Sequence, residues 1–205
     1  MRLLPSGSTS LLVEVDGINE VLALYAALVD AKLDGVIDLV PAASTVLLVI
    51  DPTATSLSTV TAAVRTVTPR RGDQKEGELV EIPVTYDGED LDEVASLWGC
   101  DTDEVVRQHS SQDWKVAFCG FAPGFGYMTS SSWTRDVPRR SSPRTKVPPG
   151  SVALAGDFCG VYPRESPGGW RLIGRTEVRV FDLAREPAAL LRPGTRVRFV
   201  ETDQP

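Results

Sequence analysis

The chain has 205 residues, of which 42% are hydrophobic and 24% charged, a balance that can bury a sizeable core and reads as a soluble globular protein. With 28 acidic residues against 21 Lys and Arg, the formal charge is -7 and the pI is near 4.8, which argues against nucleic acid as a partner because such proteins carry a basic face. No aliphatic run approaches the ~20 residues of a membrane span, and Met1 to Gly7 lacks an apolar targeting core, so a cytoplasmic location without membrane contact is expected.

Residues 9–16 alternate as a strand that ends at the turn Asp16-Gly17. Ile18, Val21, Leu22, Tyr25, Leu28 and Val29 then recur at the helical period, and Gly35 closes that helix. Val36 to Val40 and Thr45 to Ile50 are β-rich runs, and a second helix is expected over Leu57 to Val67 with Thr55 or Ser56 as its cap. A strand over Leu79 to Tyr86 completes the order strand, helix, strand, strand, helix, strand, the ferredoxin-like split βαβ arrangement. The polar stretch Thr68 to Glu78 reads either as a loop before that strand or as a linker.

Beyond Tyr86 the pattern changes. Asp90, with Glu93 three residues on, reads as the cap of a short helix through Trp98, and Thr102 opens another that runs to about Gln108. Trp114 to Cys119 alternates as a strand, and short β runs follow at Ser151 to Ala155, Gly160 to Tyr162, Trp170 to Ile173, Glu177 to Phe181 and Thr195 to Val200. Five or more short strands with Gly and Pro turns predict a small barrel or sandwich. The expected division is therefore an α+β chain with a small α/β domain over 1–86 and a β domain over 87–205.

Candidate functional residues cluster in the second half. His109, the single histidine, is either a proton shuttle or a helix-end cap. The run Gly120-Phe121-Ala122-Pro123-Gly124-Phe125-Gly126-Tyr127 predicts a tight type II turn carrying Phe121, Phe125 and Tyr127, rings that could line a ligand site or plug the barrel end. Arg144 and Arg175, embedded in Pro/Gly motifs, suit carboxylate or phosphate, whereas Arg139, Arg140 and Arg164 read as solvated surface. Ser151 and Ser166 are candidate hydroxyl ligands without a nucleophile elbow. No phosphate-binding glycine loop is present, and one histidine with Cys100, Cys119 and Cys159 in no CxxC spacing supports neither a metal site nor disulfides.

Taken together, His109, Gly120 to Tyr127, Pro143 to Val152, Tyr162-Pro163 and Ser166 to Thr176 resemble the family of the 5-oxoprolinase B subunit, also labelled allophanate hydrolase subunit 1 and including a sporulation kinase inhibitor. Many relatives carry a Gly-Gln-Thr type sequence where this chain has Asp157-Phe158-Cys159. The resemblance implies a cyclophilin-like β-barrel after the ferredoxin-like domain. It implies as partners a homologous second subunit, of the C type or allophanate hydrolase subunit 2 type, with a possible A-type subunit. It also implies ATP-dependent opening of 5-oxoproline to glutamate, with ATP held at an interface between subunits or by a partner. On this reading His109, Arg144 and Arg175 would be catalytic. Phe121, Pro123, Gly124, Phe125, Tyr127, Pro148, Gly150, Ser151, Tyr162, Ser166, Gly168, Gly169 and Trp170 would shape the substrate pocket. A urea- or allophanate-processing, carboxyltransferase-type role, and a kinase-inhibiting binding module, are the alternatives that the family's breadth implies.

Overall fold

The computed structural model describes residues 1–69 and 77–203. It divides into two compact units, at Gln74/Lys75. The expected linker falls in part outside the described residues.

In the first unit, β2 (Ser10–Glu14), β3 (Val36–Pro41) and β4 (Thr45–Ile50) form an antiparallel sheet with β1 (Arg2–Pro5) in the order β1-β2-β4-β3. Helices α1 (Ile18–Ala31) and α2 (Leu57–Thr66) bury Val21, Leu24, Leu28, Val60 and Val64 against Leu11, Val13, Val46, Leu48 and Ile50 of the strands. The alternation along β4 places its even-numbered residues in this core, as period-2 geometry requires. Ser56 caps α2 by accepting the Thr59 N–H at 3.2 Å.

The sheet has the ferredoxin-like order, but its fourth position is filled from the N-terminus. Leu79–Val84 (β5), expected there, instead pairs in parallel with β13 (Arg196–Glu201) in the second unit. The local pattern of β5 is compatible with either sheet; β1 pairs through Arg2↔Glu14 to Pro5↔Leu11 and fills that edge.

The second unit is a seven-stranded sheet in the order β12 (Arg171–Arg175), β9 (Ser151–Ala155), β10 (Phe158–Val161), β7 (Gly126–Thr129), β6 (Trp114–Cys119), β13, β5. Thr85 and Arg175 exchange backbone hydrogen bonds at 2.9 Å each way and join its two edges into a barrel. All seven strands contribute to one interior, which includes Val84, Trp114, Met128, Leu154, Cys159, Ile173 and Phe199. Helices α3 (Leu91–Trp98) and α4 (Thr102–Ser110) add Val94 and Val105 to it. A separate pair, β8 (Arg144–Val147) and β11 (Ser166–Gly168), forms a small antiparallel sheet.

The expected strand Glu177 to Phe181 does not form. The Val178 N–H is taken by Thr176 Oγ1 at 3.2 Å, and Pro83 on β5 has no N–H to offer a ladder.

Candidate functional site

The turn that sequence reading placed at Pro123-Gly124 is present: the Phe125 N–H donates to the Ala122 carbonyl at 3.0 Å and Gly124 has φ 82°. It lays Phe125 against the sheet with Trp170 and Tyr162 edge-on at 5.3 Å each, and Tyr127 stacks on Phe118 at 4.4 Å. Phe125, Tyr162 and Trp170, each buried, form with Ala153, Ala155 and Leu172 a second core distinct from the barrel interior, on the opposite face of β9 and β12, with Tyr127 part-buried against it. Gly160 makes the approach possible, since a Cβ there would lie 2.8 Å from the Phe125 ring. Phe121 sits at the rim, 56% exposed and held at φ 65°, a conformation that costs a bulky side chain energy.

Beside this aromatic face stands a charge cluster. Asp90 Oδ1 accepts Arg140 Nη1 at 2.7 Å and Arg144 Nη2 at 2.9 Å, while its Oδ2 accepts the Leu172 backbone N–H at 2.7 Å. Asp90 therefore makes no side-chain cap to α3, contrary to the capping role read from sequence. Its carboxylate is engaged instead by the Leu172 backbone of β12 and by Arg140 and Arg144, all far along the chain. Burial alone would push its pKa up, but the hydrogen bonds from Arg144, Leu172 and Arg140 outweigh it and hold the group below the ordinary carboxylate range. Arg140, read as solvated surface, is half-buried and part of this cluster. Gly168 pairs with Arg144 across β8/β11, and a Cβ at Gly168 would lie 2.2 Å from the Tyr162 hydroxyl. Arg139 lies over the Trp170 ring at 6.0 Å, and the Arg140 N–H donates to the Gly169 carbonyl at 2.8 Å. The fold thus brings Phe121, Phe125, Tyr127, Arg144, Tyr162, Gly168, Gly169 and Trp170 to one face.

The remaining predicted residues lie elsewhere. His109 is wholly buried, its Nδ1 2.8 Å from the Tyr86 hydroxyl and its Nε2 3.1 Å from Cys159 Sγ, with Phe199 and Trp114 against the ring. Desolvation lowers its pKa to about 3, so the imidazole is neutral and walled off from the face described above. It is neither an accessible proton shuttle nor a cap. Arg175 pairs with Asp87 at 2.8 Å and lines a separate cleft at the barrel seam with Pro83, Thr176, Glu177 and Thr202. Ser151 and Ser166 donate their hydroxyls to the carbonyls of Pro148 and Arg164. Gly150, at φ 79° with its N–H donating to Tyr162 O at 2.7 Å, serves a tight turn in which the exposed Pro148 also lies. Pro123 is exposed beside the buried Gly124 in the other turn.

The profile of the family described as carboxyltransferase domain, subdomain C and D, matches residues 1–191. The chain belongs to that carboxyltransferase-domain family. A protein of Escherichia coli O157:H7 named as the B subunit of 5-oxoprolinase is 48% identical over 130 residues, 62% of this chain and 60% of that protein. The chain thus spans about three fifths of the length of this curated relative. The structure of PH0987 from Pyrococcus horikoshii aligns with a TM-score of 0.59 at 36% identity, over 99% of this chain and 98% of that one. The K. lactis urea amidolyase aligns with a TM-score of 0.80 over 98% of this chain and 15% of its own length; at 17% identity that likeness shows the fold alone.

Within this carboxyltransferase-domain chain, sequence reasoning missed that Asp90, Glu89 and Arg140 form one charge cluster with Arg144. The available signal was the acidic spacing Asp87, Glu89, Asp90, Glu93, which meets Arg175, Arg144, Arg140 and Arg171 one for one or two for one. Among the described residues, no group of three or more His, Cys, Asp or Glu is placed to hold a metal ion, and no helix is long and apolar enough to cross a membrane.

Proposed function

We propose that this chain is the B-type member of an ATP-dependent 5-oxoprolinase, opening the lactam of 5-oxoproline to glutamate together with homologous C-type and separate A-type subunits. The observation that carries the reading is the 48% identity, over 130 residues, to a protein named as the B subunit of 5-oxoprolinase. An aromatic face set beside a pair of arginines supports it. A cyclic amide is a poor electrophile. Phosphoryl transfer from ATP to its amide oxygen would activate the carbon, so that one water adds there, the ring C–N bond breaks with the nitrogen leaving as the protonated amine to give an acyl phosphate, and a second water releases phosphate and leaves the glutamate carboxylate.

On this chain the exposed ring of Phe121 and the part-buried Tyr127 offer apolar surface for a five-membered ring, and the buried Phe125, Tyr162 and Trp170 hold them in place from below. Arg144, braced beside Arg140, supplies donors for a carboxylate oxygen and suits a phosphate oxygen of ATP by the same geometry. The neutral, enclosed His109 supports the barrel rather than the chemistry, which leaves proton transfer to water or to residues of the partners.

The test is glutamate release from 5-oxoproline with and without ATP, using this chain co-expressed with the A- and C-type subunits. The reading predicts ATP-dependent glutamate that disappears when this chain is omitted. Glutamate formation unaffected by omission would refute it, and an assembled complex that instead consumes urea or allophanate would replace the substrate.

A further inference from the structure

Glu89 and Asp90 are neighbours in sequence with opposite situations. Asp90 is 2% exposed, and three donors from separate segments converge on it: Arg140, Arg144 and the Leu172 amide. A carboxylate offers about four lone-pair sites, so this one is nearly saturated and fixed. The Glu89 side chain is 73% exposed, yet its Oε2 takes both Nε at 3.2 Å and Nη2 at 3.0 Å of Arg144. Side-on engagement of the Nε/Nη2 edge by a carboxylate is how arginine receives carboxylate ligands. An ion pair with one partner this exposed is weak, because solvent competes for the carboxylate at little cost.

With Glu89 in place the cluster is neutral: two guanidiniums face two carboxylates. With Glu89 swung into solvent, Arg140, Arg144 and Asp90 carry one net positive charge, matched to a monoanion. Two further donors, Arg144 Nη1 and Arg140 Nε, are buried there without an acceptor among the described residues.

We propose that the Nε/Nη2 edge of Arg144 is the receiving edge for the carboxylate of the substrate, that Glu89 occupies it as a built-in competitor until that carboxylate displaces it, and that Asp90 is the positioning residue that keeps Arg144 beside Arg140. This rests on the reading of Arg144 as a ligand for the substrate's anionic group. It adds that the free protein is held in a self-occupied state and that the ligand is a monocarboxylate.

Calorimetric titration of the full chain with 5-oxoproline, and separately with inorganic phosphate, tests it without requiring turnover. Glu89→Ala should tighten 5-oxoproline binding by about two- to five-fold, the range that release of one exposed ion pair allows. Asp90→Asn should weaken binding about ten-fold or more, with Asp90→Glu recovering part of the loss. Glu165→Ala, which removes an exposed partner of Lys146, should leave binding unchanged. Unaltered or weaker binding in Glu89→Ala would overturn the competitor role, and phosphate binding without 5-oxoproline binding would overturn the carboxylate assignment. Absence of 5-oxoproline binding in every variant overturns the proposal while leaving the glutamate assay to judge the function. Binding that responds to Glu89 in a complex that makes no glutamate would leave the site standing and remove the oxoprolinase reading.

Discussion

His109 Nε2 lies 3.1 Å from Cys159 Sγ in the barrel interior, with the Tyr86 hydroxyl 2.8 Å from the other ring nitrogen. Both nitrogens are engaged by neutral partners: burial raises the pKa of the Tyr86 phenol and of the Cys159 thiol well above their ordinary values. The trio is a satisfied polar thread through an apolar core, held by hydrogen bonds that cost more to break than they contribute when made.

A pH dependence of stability follows. Unfolded, His109 takes up a proton near its ordinary value of about 6.5; folded, it does so only at about 3. The unfolded chain therefore binds more protons between these values, and stability falls as pH drops through that window, by an amount on the order of a few kcal/mol at its lower end. Above the upper value the group contributes no pH dependence. Urea denaturation at steps from pH 7 to 4.5 should show a slope in the wild type that His109→Gln flattens, and the turnover profile of the complex should show no break assignable to this residue.

Asp90 has the opposite chemistry and a window further into acid. Its folded pKa is held below the ordinary carboxylate value, so its contribution is present above that value and is lost as pH falls through the folded one. Asp90→Asn should cost about 2–3 kcal/mol at pH 7, because two guanidiniums lose their charged acceptor while Arg140 keeps some access to water. The deficit relative to wild type should shrink as the pH is lowered below about 4, measured by the same denaturation series.

Gly150 and Gly194 separate two costs of a methyl group. Both have positive φ, 79° and 91°, but a Cβ on Gly150 would lie 2.2 Å from the Thr176 carbonyl oxygen whereas nothing lies within 4 Å at Gly194. Gly194→Ala should cost about 1–2 kcal/mol from backbone conformation alone. Gly150→Ala should cost at least about 3 kcal/mol, since the Gly150–Thr176 hydrogen bond must also yield. Equal losses in chemical denaturation would show that the Thr176 approach carries no weight.

Phe121 stands at the rim at a conformational cost. Held at φ 65°, it meets Phe125 and Tyr162 edge-on at 5.4 and 6.1 Å while half its surface faces solvent. Asparagine tolerates the left-handed region and alanine does not, so Phe121→Asn should be about 1 kcal/mol more stable than Phe121→Ala in thermal denaturation. Both should bind 5-oxoproline more weakly than wild type if the ring closes over the ligand.

The local features of this chain were legible from sequence because their causes are local. The period of Ile18 to Val29 yields α1, the serine before Leu57 caps α2, and Pro123-Gly124 bends the chain through a tight turn, since each depends on neighbours a few residues away. The motifs that carry Phe125, Tyr127, Arg144, Tyr162 and Trp170 were also legible, because each is a contiguous run rich in Gly and Pro around those residues. Partnership was not. Leu79–Val84 pairs with Arg196–Glu201 in the barrel, while Arg2–Pro5 fills the edge of the first sheet that it could have taken. Which side of the sheet receives His109 is set by where α4 packs, and the acid that braces Arg144 is chosen by a bond spanning Asp90 to Leu172. Such choices are made by barrel closure and by the need of a buried carboxylate for donors, and neither leaves a periodic trace in the chain.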